Sequence, residues 1–352
     1  MEGITVVGLD LAKNVFQVHG VDADGGVMVR RQIRRGQLLS FFSSLAPCLV
    51  GIEACASAHH WARELMALGH EVRLMPPAYV KAYVKRGKTD AADAEAIADA
   101  VTRPTMRFVA VKSKAQQAAL MLHKTRDLMV RQRTMLINAV RGHLGEYGII
   151  SAKGAAGVRT ILKAISLQQA QLPDLARLAM HGLARQLEAL EQEIERLEAR
   201  IVAWHREDET SRRLATIPGI GPITASAISV TAPDPNLFRS GRQFAAWLGL
   251  TPRAHSSGGR ERQVGISKMG DGYLRRLLVV GATAVLRMAR QRGGSAWVMG
   301  LLERKRPKAA AVALANKTAR IAWVLMSRKE TRRPEHRRSA PPQPAAPETR
   351  EW

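Results

Sequence analysis

Cysteine is nearly absent from this chain of 352 residues: only Cys48 and Cys55 occur, flanking an apolar run. Two thiols are too few for a thiolate zinc site, and they read as reduced core residues of a cytoplasmic protein. No apolar run reaches membrane-spanning length, and Met1 leads into a strand rather than a signal peptide, so no membrane partner is expected. No Walker-type phosphate loop is present, which argues against a nucleotide-driven machine. Acid is scarce as well. Lys and Arg number 54 against 30 Asp and Glu, a formal charge of +24. A surplus that large points to a polyanionic partner, with nucleic acid first, and it runs through the middle of the chain as well as the tail.

Against this basic background one acidic stretch stands out, residues 88–100, Lys-Thr-Asp-Ala-Ala-Asp-Ala-Glu-Ala-Ile-Ala-Asp-Ala. Its alanine content favours helix. Asp90 and Asp93 stand three apart, so both carboxylates leave one face of that helix near its N-terminus. Like charges side by side repel each other unless a cation or a salt bridge neutralises them. The pair therefore suggests a divalent-metal site completed by carboxylates from elsewhere. Glu95 and Asp99 read as solvated charges.

The length suits about two domains, each with its own core. Residues 4–9 are a short apolar, β-branched run, read as a buried strand ending at Asp10. Residues 15–21 and 27–33 follow as strands joined by the turn Asp22-Ala-Asp-Gly-Gly. Residues 36–45 read as helix, 48–52 as a strand ending at Glu53, and 59–68 as an amphipathic helix closed by Gly69. Residues 71–75 form a last strand, stopped by Pro76 and Pro77. This is the element order of a ribonuclease-H-like domain, in which an antiparallel meander joins parallel strands. Ligands of open α/β sheets gather beyond the carboxyl ends of the strands. Asp10, Glu53, Asp90 and Asp93 converge there, and four oxygen donors suit Mg²⁺ or Mn²⁺.

Residues 115–147 carry a long helical pattern with Lys124, Arg126, Arg131, Arg133 and Arg141. It reads as a basic helix along a phosphate backbone, although charge alone does not separate that from a solvated face. Residues 154–157 mark a loop. Met180, Leu183, Leu187, Leu190, Ile194, Leu197, Ile201 and Trp204 then alternate at spacings of three and four, the seam of a coiled coil. The seam can pair between protomers or fold back on the basic helix. Ile217-Pro-Gly-Ile-Gly-Pro-Ile-Thr-Ala resembles the hairpin of a helix-hairpin-helix motif, where Gly219 and Gly221 let backbone amides approach a phosphate. A ligand-free helix–helix turn is the alternative. Residues 243–248 read as a short helix, 251–272 as a polar, Gly-rich loop, and 273–290 and 308–326 as helices, the second entered through Pro307. Residues 329–352, rich in Pro, Arg and Glu, are expected to be disordered.

Within the loop, Ser256 and Ser257 have Arg253, His255, Arg260, Arg262 and Lys268 nearby in sequence. A serine hydroxyl attacks phosphorus only when its proton is removed or shared, and arginines can stabilise the pentacovalent state that follows. Taken by itself, Ser-Ser-Gly-Gly is a flexible surface turn.

As a set, however, the motifs carry more. Gly-Leu-Asp10, Gly-Ile-Glu53-Ala-Cys, Lys-Thr-Asp90-Ala-Ala-Asp93, Pro-Gly-Ile-Gly-Pro, Gly-Leu-Thr-Pro-Arg, Ser-Ser-Gly-Gly and Ser-Lys-Met-Gly-Asp resemble the DEDD transposases of bacterial insertion-sequence family 110, the bridge-RNA-guided recombinases. The resemblance runs from about residue 4 to about residue 326 and has no departure at the four acids. It implies an α/β plus α fold: a RuvC-like catalytic domain over 1–110, a basic helix and coiled coil over 111–210, a mostly helical transposase domain bearing the serine over 211–328, and a basic, Pro-rich tail over 329–352. It further implies that Asp10, Glu53, Asp90 and Asp93 hold Mg²⁺ (or Mn²⁺) on a scissile phosphate. Ser257, or its neighbour Ser256, then forms a covalent 5′-phosphoserine link; Ser257 is preferred because the family's serine directly precedes the glycine. The implied partners are target and donor DNA, a structured non-coding bridge RNA, and further copies of the chain, as a dimer and as a tetramer in the synaptic complex. The implied location is the bacterial cytoplasm, at the nucleoid. Two other classes fit part of the sequence. A RuvC-like endonuclease of the Holliday-junction-resolvase kind would use the same carboxylates with water, leaving the serine loop without a role. A non-catalytic DNA or RNA binder would leave the four acids unexplained.

Overall fold

In a computed structural model the chain is described over residues 3–84, 89–150, 155–166, 172–257 and 260–331. Its contacts divide it into two compact units, Met1–Ile201 with Val230–Leu237, and Val202–Ser229 with Phe238–Trp352.

The first unit opens with β1 (Val6–Asp10), β2 (Val15–Val21) and β3 (Val27–Arg34), then α1 (Leu38–Ser43), β4 (Leu49–Glu53), α2 (Ala58–Ala67), β5 (Glu71–Met75), α3 (Pro77–Val80) and α4 (Asp90–Val101). The strands form one mixed sheet in the order β3-β2-β1-β4-β5. The β1–β2 and β2–β3 pairs are antiparallel, and the β1–β4 and β4–β5 pairs are parallel. All five strands expected from the apolar runs are therefore present. The pleat sends Val7, Leu9, Val50 and Ile52 to one face, where they are buried with Phe41, Phe42, Trp61 and Leu65 of α1 and α2. Gly69 takes φ +92° just after α2, the left-handed cap its position predicts.

The opposite face is made by glycine. Gly8 and Gly51 are paired neighbours on β1 and β4. A Cβ on Gly8 would lie 2.1 Å from the Ala94 carbonyl oxygen and 2.6 Å from the Ala98 nitrogen. One on Gly51 would lie 2.8 Å from Val101 Cβ. The Ala-rich helix α4 thus rests its backbone directly on the sheet, burying Ala94, Ile97, Ala98 and Val101.

Three long helical elements follow: α5 (Lys114–Gly145), α6 (Ala155–Ser166) and α7 (Asp174–Glu207). Of the loop expected at 154–157, residues 155–157 are instead the start of α6, and residue 154 lies outside the described residues. Val158 and Leu162 of α6 are buried against Val140, Leu144, Met180 and Leu187, and that apolar stripe outweighs the helix-weakening Gly157. In the α7 seam, Met180, Leu187, Ile194 and Ile201, seven residues apart, are buried, whereas Leu183, Leu190 and Leu197 are half-buried. Within one chain the seam folds back on α5, and an Arg126–Glu198 ion pair ties the two helices.

The second unit comprises α8 (Glu209–Leu214), α9 (Pro222–Thr231) up to Ser229, α10 (Gly241–Trp247), β6 (Pro252–Ser257), β7 (Arg260–Ile266), α11 (Gly272–Arg292), α12 (Ala296–Arg304) and α13 (Pro307–Arg328). Helix α13 packs against α8, α10 and α11, with Ala310, Ala315, Ala319 and Ala322 buried. The loop expected over 251–272 is a two-stranded antiparallel hairpin in which His255 pairs with Arg262 and Ser257 with Arg260. Backbone pairing needs no apolar side chains, so the polar composition concealed two runs separated by two residues, Gly-Gly, a hairpin spacing. Helix α12 is a further element beyond those expected from the sequence; Val298 and Leu301 bury its inner side. Cys48 is buried as expected, but Cys55 is exposed, because β4 ends at Glu53 and the chain turns through Ser57 at φ 68°. The tail beyond Thr331, expected to be disordered, lies outside the described residues. Among the described residues no helix is long and apolar enough to cross a membrane.

The glycine contact has a direct consequence. Gly8→Ala forces a methyl into the α4 backbone, which must move away from the sheet, at a cost of about 1–3 kcal/mol or more. Urea unfolding is expected to show a lowered midpoint, whereas alanine at Gly36, which has open space around it, should change the midpoint little.

Candidate functional site

Asp10 is the last residue of β1 and Glu53 the last of β4; since Leu9 pairs with Ile52, the two acids are adjacent at the carboxyl edge of the sheet. Helix α4 starts at that edge. Thr89 caps it, its hydroxyl accepting from the Ala92 amide at 3.3 Å, and Asp90 and Asp93 occupy the first turn. The helix dipole favours carboxylates there, which offsets part of their mutual repulsion. Because α4 lies on Gly8 and Gly51, two residues before each strand-end acid, its first turn is set beside Asp10. Ligand oxygens of Asp10, Asp90 and Asp93 all lie within 4.8 Å of one another. Glu53 is outside that cluster, on the neighbouring strand end, but near enough for its charge to act on Asp10.

Burial pushes the Asp10 carboxyl up from 3.8 to about 6, and the negative charges of Asp93, Asp90 and Glu53 push in the same direction. The backbone amide of Leu11 opposes this by donating to it. Cys55, absent from the sequence-derived site, belongs to this neighbourhood: although the residue is exposed, partial desolvation raises its thiol, followed by the charges of Glu53 and Asp10. An all-oxygen set of crowded carboxylates, one of them held above its ordinary range, fits a hard divalent cation, whose charge would relieve that crowding.

The basic residues expected to contact nucleic acid have several fates. On α5, Arg126 donates to Glu198 from Nε at 2.8 Å and is largely covered, so it serves the α5–α7 pair. Arg131 reaches Asp127 at 3.5 Å while remaining exposed, and Arg133 and Arg141 are half-buried. Lys124 is exposed and contributes, with Lys112 and Arg63, to holding His59 neutral; burial is the main cause of its fall to about 4. Gly219 does not face open space: it takes φ +87°, and a Cβ there would sit 2.9 Å from the Gly281 oxygen of α11. Gly221 has nothing within 4 Å of its Cβ position.

The serine hairpin is gripped at its base. A Cβ on Gly249 would meet the Met269 oxygen at 2.0 Å, and one on Gly270 the Trp247 oxygen at 1.9 Å, so the segments before β6 and after β7 touch backbone to backbone. Arg275 Nη1 donates to the carbonyls of Leu248 at 3.0 Å and Met269 at 3.2 Å, and the Ser267 amide donates to Thr251 at 2.9 Å. Arg253 and Lys268 are exposed beside this base, Lys268 with φ 56°. Ser256 and Ser257 end β6, while the side chains of 254–264, with Arg260 and Arg262, lie outside the described ones. The carboxylates belong to the first unit and the hairpin to the second.

Residues 7–149 match a family model described as Transposase, of the DEDD IS110 type, and residues 211–296 match one described as Transposase IS116/IS110/IS902 family. A "Probable family 20 transposase" of Pseudomonas aeruginosa is 52% identical over 93% of this chain and 98% of its own length. The chain belongs to the IS110/IS116 family of insertion-sequence transposases. The transposase for insertion sequence element IS1328 of Yersinia enterocolitica is 40% identical over 92% of this chain and 97% of its own length. A shorter stretch, 73 residues or 20% of the chain, is 40% identical to a pilin gene-inverting protein of Moraxella lacunata, covering 23% of that protein. This transposase is therefore an enzyme of DNA transposition, and its family points to divalent-metal use at an acidic cluster such as Asp10, Asp90 and Asp93.

Two outcomes follow for the transposase. Because the folded Asp10 carboxyl titrates above its unfolded value, the native state holds more protons between about pH 4 and 6, and metal-free stability falls as pH rises through that window. Asp10→Asn should flatten this fall and hold or raise the metal-free melting temperature at pH 7, while abolishing the shift that added Mg²⁺ or Mn²⁺ produces in the parent protein. An Asn variant still stabilised by the cation would remove Asp10 from the ligand set. On α5, Arg126→Gln should lower stability by up to about 1 kcal/mol and leave the salt dependence of DNA binding unchanged, since the residue is committed to Glu198.

Proposed function

We propose that this transposase is an RNA-guided, metal-dependent recombinase that cuts and rejoins DNA through a covalent 5′-phosphoserine intermediate. The observation that carries the reading is the Asp10–Asp90–Asp93 cluster at the carboxyl edge of the mixed sheet, in a chain whose two matched segments both belong to one transposase family. The strand order β3-β2-β1-β4-β5 supports a RuvC-like assignment for 1–110, followed by the helical segment 111–210, the serine-bearing domain 211–328 and the tail 329–352.

Asp10, Asp90 and Asp93, with Glu53 at their side, would hold Mg²⁺ or Mn²⁺. When bound, the cation supplies positive charge to the scissile phosphate. Ser257 Oγ attacks phosphorus and loses its proton; the P–O3′ bond breaks and the leaving 3′ oxygen takes up a proton. The 5′ phosphate is then esterified to serine. In the reverse direction a 3′-hydroxyl from another strand attacks the phosphoserine, loses its proton, and restores the serine hydroxyl. One phosphodiester is exchanged for another through a phosphoester, so no nucleotide triphosphate is consumed, in keeping with the missing Walker loop. The backbone grip at the base of β6–β7 supports this role, because a nucleophile works best on a fixed platform. Arg253, Arg260, Arg262 and Lys268 supply positive charge along the same hairpin. Carboxylates of one protomer and the serine of another would make one composite site, which requires at least a dimer and, for two DNA partners, a tetramer. Target and donor choice falls to a structured bridge RNA, base pairing reading sequence while the protein reads backbone and shape. The net charge of +24 is suited to holding both polyanions.

A resolvase-like hydrolysis is less well supported, because it gives the serine hairpin nothing to do. The two are separated by denaturing gels on labelled DNA. Ser257→Ala should bind DNA and RNA, keep its melting temperature within a degree or two, and give neither a protein–DNA adduct nor a recombinant. Ser256→Ala is the companion: if it alone abolishes the adduct, the nucleophile is Ser256. Recombination surviving in the double variant would falsify the phosphoserine mechanism.

A further inference from the structure

The edge strand β3 carries an unassigned basic strip. Its sequence, Val27-Met-Val-Arg-Arg-Gln-Ile-Arg34, continues into Arg35, and no acidic residue occurs between Asp24 and Glu53. The pleat sorts these arginines into two pairs. Arg31 and Arg35 serve the α1–α2 face: Arg31 lies over the Phe41 ring at 5.5 Å, and Arg35 over Trp61 at 5.1 Å. Arg30 and Arg34 alternate to the other face and are exposed, and among the described contacts neither side chain makes an ion pair, hydrogen bond or ring contact. That other face is the carboxylate face. Asp10 pairs with Gln17, and Gln17 with Gln32, so Gln32 is level with Asp10 two strands away, with Arg30 and Arg34 on either side of it. With strands about 4.8 Å apart and residues about 3.3 Å apart along them, the strip begins roughly 10 Å from Asp10 and runs for about 13 Å. That length is enough to span a few successive phosphates of one DNA strand. Helix α4 buries Gln17 and leaves β3 uncovered, so the strip is open alongside the site.

We infer that Arg30 and Arg34, with Gln32 between them, hold the phosphate backbone of the DNA strand that is cut at the carboxylates. The inference rests on the metal-site reading above and adds residues that position the substrate strand. DNA is the occupant because the strip shares its face with the residues that act on DNA phosphate. Edge strands also carry charge simply to prevent sheet-to-sheet pairing, and in that case the arginines would touch nothing.

The full-length protein is titrated with short duplex DNA of arbitrary sequence across a salt series, without divalent cation. Arg30→Gln with Arg34→Gln should lower the slope of log K against log salt by about two units or slightly less, at an unchanged melting temperature. Arg31→Gln with Arg35→Gln, on the same strand but the other face, should lower the melting temperature and leave the slope alone. An unchanged slope in the first pair overturns the inference, as does an equal loss in both pairs or a loss seen with an RNA hairpin and not with DNA. The metal reading is judged separately: if Asp10→Asn still recombines, that reading fails while the slope comparison is still legible. If Asp10→Asn is inactive and the Arg30/Arg34 slope is unchanged, only the strip is wrong.

Discussion

The contact between the backbone of α4 and the paired glycines of β1 and β4 is what the first unit depends on. A helix normally stands off a sheet by the length of two side chains, whereas here Gly8 and Gly51 remove one layer and the alanines of α4 thin the other. The close approach fixes the helix along the strands and leaves its first turn at the carboxyl edge. Asp90 and Asp93 therefore reach Asp10, and burial first, then the resulting repulsion, raises the Asp10 carboxyl. A larger residue at either glycine would weaken packing and disperse the acids together, so fold and site share one constraint.

Positive charge is distributed by the same logic of backbone periodicity. Arginines of β3, with Arg35 directly after it, divide between aromatic packing and an open face according to whether their number is odd or even. On α5 the position around the helix decides. Arg126 is turned toward α7 and is neutralised by Glu198, while Lys124 remains exposed on the same helix. Net charge thus says which class of partner the transposase needs, and the geometry of each element says which cations remain to meet it.

The second unit solves a different problem, holding a polar hairpin still. Close packing of Gly249 on Met269 and of Gly270 on Trp247, with Arg275 bonded to carbonyls on both sides, replaces the apolar core that the hairpin lacks. Gly219 and Gly281 bring the α8–α9 turn and α11 together in a similar way. Gly219, Gly249 and Gly270 therefore have packing roles that their composition alone would not distinguish from phosphate contact, whereas Gly221 has open space beside it.

The sequence by itself determined the strands of the sheet, the long helices and the identity of the acidic residues. Those depend on local patterns: apolar runs in 4–9 and 48–52, alanine in 88–100, and a three-four seam through Met180 to Ile201. The family motifs were legible for the same reason, since each is a short contiguous string. Tertiary structure decided what depends on neighbours distant in the chain. It drew Asp10, Asp90 and Asp93 into one cluster and left Glu53 at its margin. It folded α7 back on α5, made a hairpin of a polar stretch read as loop, and exposed Cys55. It also gave Arg30 and Arg34 the face of Asp10, which follows from strand register and from no property of the arginines themselves. Side-chain periodicity is local and can be read along a chain; register, helix seating and ion pairing are set by the element on the other side of the contact.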